Sequence, residues 1–217
     1  MKKKIILILI VVFGLVVGWF SYDMISLKKK NPGPTALMQQ RGTPIHQTWV
    51  PLSRISPFLK RAVIVAEDAS FYGHNGIDFH EFVESLKKNI EEREFHRGFS
   101  TITMQVARNL YLSPGKTIPR KLMEIVIAWV LEQTLSKNRI FEIYLNIIEW
   151  GDHIYGAEAA SQHYFKKSAI ELSPAEAAFL ASIIPSPLKW GQWPPGPYVW
   201  QRVLILLNRM NPENLQP

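Results

Sequence analysis

The 217-residue chain has no cysteine. That excludes a disulfide framework, a thiolate metal site and a cysteine nucleophile, while leaving the compartment open. Charge of one sign is also scarce over most of the chain. Of 25 basic and 18 acidic residues, six lysines and one aspartate lie in the first 30 positions, leaving 19 against 17 elsewhere. A nearly neutral body behind a basic end suits lipid headgroups rather than nucleic-acid phosphates, and no nucleic-acid partner is expected. At 47% hydrophobic, the chain is too apolar for disorder. Its length allows one ordinary domain plus an appendage.

Between two lysine clusters (Lys2 to Lys4 and Lys28 to Lys30), Ile5 to Phe20 is an unbroken apolar or glycine run. As a helix extended through Tyr22, Met24 and Ile25 it reaches roughly 31 Å, enough to cross a bilayer core. Trp19, Phe20 and Tyr22 suit the far headgroup level, with Asp23 just beyond. A cleaved signal peptide needs small residues after its apolar stretch, and the first alanine is Ala36. Residues 1–27 are therefore read as an uncleaved anchor, amino terminus inside.

Residues 28–45, with Asn31-Pro32-Gly33-Pro34, read as a linker, and residues 46–217 as the globular domain. From Phe58 to Ile184 there are only three prolines and six glycines, and apolar residues recur at helical spacing almost throughout. Asp78 with Glu81, Thr117 with Pro119, Ser136, and Ser173 with Pro174 and Glu176 carry helix-start chemistry. A loop with five prolines spans Pro185 to Pro197, and a last amphipathic helix runs to about Met210. No convincing strand alternation is present, so the expected fold class is all-α.

Polar chemistry concentrates in four segments. Glu67-Asp68 with Phe71, His74 and Gly76 puts two carboxylates where a helix gives way to a turn. Alone, an acidic pair is usually a solvated helix end. In the second segment Ser100 can cap a helix, and Thr101, Gln105 and Arg108 recur at i, i+4 and i+7, followed by Asn109. Such stripes are often the outside of a helix. The third is Arg120-Lys121 with Glu124, which elsewhere would be a surface salt bridge worth a few tenths of a kcal/mol. Here the helix is otherwise apolar from Ile125 to Leu131, so the charges are expected to face something specific. The fourth, Lys137 to Asn146, also suits packing and capping alone.

Together these segments resemble the family 51 glycosyltransferases, peptidoglycan polymerases found as domains of bifunctional penicillin-binding proteins or as stand-alone enzymes. The first segment matches E-D-x-x-F-x-x-H-x-G throughout, and the third matches R-K-x-x-E. The second matches G-x-S-T-x-x-Q-Q with Met104 replacing the first glutamine, and the fourth K-x-x-I-L-E-x-Y-L-N with Phe141 replacing leucine. A fifth, R-R-x-x-V-L, is partial: Arg202 fits, Val203 replaces the second arginine, and Leu206-Leu207 stand for Val-Leu. The order and spacing hold over roughly residues 46 to 210. No K-T-G motif of the transpeptidase domain occurs, so the resemblance is to the monofunctional type.

This resemblance implies a lysozyme-like α fold at the periplasmic face of the inner membrane, polymerising lipid II on a growing lipid-linked glycan. It implies Glu67 as general base toward the acceptor hydroxyl, and Arg108, Arg120, Lys121 and Lys137 as cations at the diphosphate. It places Glu124 there too, holding magnesium or manganese or fixing the basic groups, with no organic cofactor. Asp68, Phe71, His74, Ser100, Thr101, Gln105 and Asn109 become substrate-positioning candidates. Asn89 to Arg97 corresponds to a mobile jaw, and Phe79, Phe82 and Val83 suit either core or headgroup contact. Partners are the membrane and proteins of cell-wall synthesis and division. Two alternatives stand beside this: a lysozyme-like hydrolase or lytic enzyme, and a non-catalytic membrane-anchored scaffold.

Overall fold

Side-chain oxygens start most of the helices, as the local sequence dictates. The computed structural model describes residues 23–81, 100–113, 117–192 and 194–211, with isolated positions 11, 14, 15, 18, 83, 84, 87 and 115. In chain order the helices are α1 (Ala36–Arg41), α2 (Pro57–Glu67), α3 (Ile102–Tyr111), α4 (Ile118–Thr134), α5 (Lys137–Ile147), α6 (Ala157–Phe165), α7 (Pro174–Ile183), α8 (Pro187–Trp190) and α9 (Pro197–Met210). Thr35, Ser56, Thr101, Thr117, Ser136 and Ser173 cap α1, α2, α3, α4, α5 and α7, each accepting a backbone N–H. Pro57 and Pro174 sit in first turns, where a missing N–H costs nothing. Asp78 accepts the Glu81 N–H at 2.9 Å, as its spacing predicts.

The fold is predominantly helical but not all-α. β1 (His46–Gln47), β2 (Glu149–Gly151) and β3 (Ile154–Tyr155) form a small sheet in the order β1-β3-β2, with β1 parallel and β2 antiparallel to β3. Strands of two or three residues are too short to display a period of two. Gly156 joins this sheet to α6 at φ 84°, and a Cβ there would lie 2.7 Å from the Asn146 carbonyl oxygen. The position therefore requires glycine.

Helix α3 is the centre of the molecule. Seven of its ten residues are buried, and it packs on α1, α4 and α5. Phe71, Phe141, Tyr144, Trp150 and Tyr155 fill the surrounding core. Asn146 pins the entering chain to α5 by exchanging 2.9 Å bonds with both backbone groups of Val50. Helix α2, which ends in Glu67, packs on both α7 and α9, and those two pack on each other.

Among the described residues no helix is long and apolar enough to cross a membrane. Most of the anchor expected over residues 5 to 25 lies outside them, as do Phe82 and the segment from Asn89 to Arg97. The stretch from Asp23 to Lys30 docks on the body. Met24 and Leu27 are buried, the Tyr111 hydroxyl donates to Asp23 at 2.6 Å, and Arg139 donates to the carbonyls of Leu27 and Lys30.

Candidate active site

Glu67 ends α2, where the last turn leaves its side chain free to reach across to α3. Gln105 meets it there, donating from Nε2 to Glu67 Oε2 at 2.8 Å. The Tyr144 hydroxyl donates to the other end of that amide at 3.3 Å, fixing which way the amide points. Burial pushes the Glu67 carboxyl above the ordinary value. The Gln105 bond and the nearby Arg202 and Arg108 cations oppose that shift, and Asp68 adds to it.

Asp68, next in sequence, has a different task. Its carboxylate accepts the Ile102 N–H at the start of α3 at 2.9 Å and is paired with His74 Nε2 at 2.9 Å. It thus ties the turn after α2 to the helix that carries Gln105. The His74 side chain is almost wholly buried, and Phe71 is fully buried against Phe141 with ring centroids 5.6 Å apart. Both were substrate-positioning candidates, and the structure puts them in the support behind Glu67. Gly76, at φ 87°, closes the same turn. A Cβ there would meet Glu132 Cγ at 3.0 Å, and its carbonyl accepts from Thr101 Oγ1 at 2.6 Å.

Thr101, not Ser100, caps α3. Two adjacent hydroxyls look equivalent locally, and long-range contacts assign them. Thr101 is held by Gly76, while Ser100 Oγ accepts from Lys121 Nζ at 2.8 Å.

That lysine belongs to a second buried cluster. Glu124 on α4 is fully buried, with Oε1 accepting from Lys121 Nζ at 2.8 Å and Oε2 from Arg120 Nη1 at 2.6 Å. One carboxylate thus holds two cations in place one helical turn away. Lys121 is pulled below its ordinary pKa by burial first and by Arg108 and Arg120 next, with Glu124 opposing. Each Glu124 oxygen accepts from a cationic donor, so a magnesium or manganese ion would have to sit against the Arg120 and Lys121 charges, and this set does not fit a carboxylate ligand for either. Among the described residues no group of three metal-ligating side chains converges either. Lys137 lies elsewhere: its ammonium bonds Glu132 at 2.7 Å and sits 4.4 Å from the centroid of the Phe71 ring.

The two carboxylates meet through their partners. A groove of about 360 Å³ is lined by Gln105, Arg108, Asn109 and Arg120, so the amide that holds Glu67 and the guanidinium that is held by Glu124 face one space. Arg41, Glu149, Leu112 and Ile184 line its remainder. Sequence reasoning missed Arg41 and Glu149. The one available signal was an acid inside the apolar run Ile147-Ile148-Glu149-Trp150.

The departures from the five motifs fall away from this groove. Met104 and Val203 are both fully buried in the core. Arg202, the retained residue of the fifth motif, donates to the Ser182 carbonyl at 3.2 Å and lies over the Trp190 ring.

Residues 35–211 match the family described as transglycosylase. Among curated proteins, the chain is 46% identical to the biosynthetic peptidoglycan transglycosylase of Alcanivorax borkumensis, over 90% of this chain and 80% of that one. It is 41% identical to the protein of that name from Nitrosomonas eutropha, over 94% and 88%. For the one from Chromobacterium violaceum the figures are 40% identity and 95% of each chain. A family match over most of the chain, joined to a groove that gathers its motif residues, leads to one conclusion: this chain belongs to the transglycosylase family.

Proposed function

We propose that this chain is a peptidoglycan glycosyltransferase that polymerises lipid II into β-1,4-linked glycan, releasing undecaprenyl diphosphate with inversion. Glu67 takes the proton of the acceptor's 4-hydroxyl as that oxygen attacks the anomeric carbon of the growing chain. The bond to the diphosphate oxygen breaks with its electron pair leaving on the phosphate. A diphosphate departs as a stable anion, so the leaving group calls for cations rather than a strong acid. Arg108, Arg120 and Lys121 meet that need, with Glu124 holding the latter two. A divalent cation, in this reading, arrives on phosphate oxygens rather than on Glu124, and no step is assigned to it.

The observation that carries this reading is the shared groove: Gln105, bonded to Glu67, and Arg120, bonded to Glu124, line the same cavity. Gln105 and Asn109, which line the groove, are the positioning groups best supported by their location, and Ser100 is tied to the cationic cluster through Lys121. The raised pKa of Glu67 favours a base strong enough to accept a hydroxyl proton, and equally a hydrolase acid. The basic cluster separates the two, since glycoside hydrolysis has no anionic leaving group for it to stabilise.

Membrane attachment belongs to the same proposal. Ile118 and Leu122, on the helix that carries Arg120 and Lys121, are 79% and 59% exposed, and Phe79 is 70% exposed. These apolar side chains suit contact with lipid at the periplasmic face of the inner membrane, anchored by the single span over residues 5 to 25. Tethering there confines enzyme and lipid-tailed substrate to one plane and raises their effective concentration. Proteins of cell-wall synthesis and division are expected at that face.

The test is incubation of the purified full chain with lipid II, and separately with finished cell wall. Polymer from lipid II and no release from the wall is the expected result. Sugar fragments from the wall with no polymer would replace this reading with the hydrolase.

A further inference from the structure

Glu132 on α4 is a buried acid that the reaction above does not use, its side chain only 4% exposed. It stands where three other pieces of the chain meet. From α3 the Thr103 hydroxyl donates to Glu132 Oε1 at 2.5 Å, and Thr103 is itself fully buried. From the start of α5, Lys137 Nζ donates to the same oxygen at 2.7 Å. The third piece is the turn after Glu67, which closes at Gly76 so near to Glu132 Cγ that a Cβ there would lie 3.0 Å from it. A carboxylate taken out of water needs such donors, and its charge makes each bond stronger than a neutral acceptor would.

Each partner leads back to Glu67. Thr103 lies two residues before Gln105 on α3, and Gln105 donates to Glu67 at 2.8 Å. Lys137 divides its ammonium between Glu132 and the face of Phe71, 4.4 Å from the ring centroid. Phe71 lies in the turn between Asp68 and His74, and its N–H donates to the Asp68 carbonyl at 3.0 Å. Asp68, bonded to the Ile102 N–H at the start of α3, follows Glu67 directly in the chain. Two lines of contact therefore start at Glu132: one reaches the amide that holds the Glu67 side chain, the other the backbone that follows it.

We infer that Glu132 is a positioning residue for Glu67: by anchoring Thr103 and Lys137 it sets α3 and the turn from Asp68 to Gly76 relative to each other, and Glu67 is placed by both. This inference rests on the glycosyltransferase reading, in which Glu67 is the base. Glu132, Thr103 and Lys137 are not among the residues that line the groove, so they act through Gln105 and Phe71 and do not touch the reacting atoms. Lys137 thereby leaves the set of cations that meet the diphosphate. A base misplaced by about 1 Å can lose about 100-fold in rate, so a support of this kind is felt in kcat rather than in substrate binding.

The test measures kcat, KM and the pH profile of kcat/KM for lipid II polymerisation by Glu132→Met, Lys137→Met and the double variant, each checked for folding by thermal unfolding. Glu132→Met is expected to lower kcat by about 10- to 100-fold with KM within twofold of wild type. Its acid limb should move to higher pH, because a loosened Gln105 withdraws the bond that opposes protonation of Glu67. The other groups around Glu67, namely Arg108 on α3, Tyr144 on α5, Arg202 on α9 and the adjacent Asp68, are unchanged in these variants. The double variant should be no slower than Glu132→Met, since the pair acts as one unit. A raised KM with kcat kept in Lys137→Met, or losses that multiply in the double variant, would overturn the inference and return Lys137 to the substrate's diphosphate. A lower kcat with the acid limb in its wild-type place would overturn it too, because a smaller folded fraction has that effect. If Glu132→Met does not fold, Thr103→Val, which keeps the side-chain shape and withdraws only the hydroxyl, carries the same readouts with a smaller shift. Absence of any polymer from wild type with lipid II would instead sink the enzymatic reading.

Discussion

Glu67 and Glu124 are the same residue type, each bonded to a residue that lines one groove, in opposite electrostatic company. Glu67 is held by a neutral amide, and burial raises its carboxyl. Glu124 is more deeply buried, yet two cations donate directly to it. The first arrangement leaves a carboxylate that gains by taking up a proton. The second makes a fixed counter-ion that holds Arg120 and Lys121 for a substrate's charge. Partners, rather than depth alone, separate the two roles.

Substituting the first carboxylate sharpens the contrast most. Glu67→Gln is expected to lower the polymerisation rate by about 100- to 10,000-fold, the usual worth of a general base, with lipid II binding retained. Its effect on stability has the opposite sign. A carboxyl whose folded pKa lies above its unfolded value destabilises the fold when ionised, and that penalty fades as pH falls through the folded pKa. Thermal unfolding at neutral pH should therefore show Glu67→Gln at least as stable as wild type. A large loss of stability would put Glu67 in the role assigned to Glu124.

Glu124→Gln should do the reverse, costing about 3–5 kcal/mol in denaturant unfolding, because two partly buried cations lose their counter-charge. Loss of polymerisation should accompany it. A stable variant would mean that the ion cluster is not what fixes Arg120 and Lys121.

Smaller is the effect expected of restoring the motif residue that Met104 replaces. Met104 is fully buried. Met104→Gln should cost about 1–3 kcal/mol for a buried unpaired amide without raising kcat. An increase in kcat would show that the position does reach the substrate.

Smallest is the response to metal. Titrating magnesium into the substrate-free protein should give no saturable heat, because the Arg120 and Lys121 charges beside the Glu124 oxygens repel a further cation. Tight binding that disappears in Glu124→Gln would restore Glu124 as a metal ligand.

How much of this was legible in the sequence depended on distance along the chain. Helix starts at Ser136 and Ser173 were readable because capping involves neighbours three residues on. The exchange of roles between Ser100 and Thr101 was not, since it depends on Lys121 and Gly76 far away. Glu67, Gln105, Arg120 and Glu124 stood out through their ordered motifs. The same motifs made Phe71, His74 and Lys137 look like groove residues, although none of the three lines it and they contact Phe141, Asp68 and Phe71 respectively. Arg41 and Glu149 lay in segments read as linker and apolar run, and only the folded chain brings them together.

The most direct test of the central claim, that an ionised Glu67 takes the acceptor's proton, is the pH dependence of kcat/KM for lipid II polymerisation on the acid side of neutrality. The account predicts a single acid limb, with the rate falling as pH drops through a carboxyl pKa above the usual glutamate value, and no such limb in the residual activity of Glu67→Gln. A rate that stays level through that range, or a limb that persists in Glu67→Gln, would contradict it.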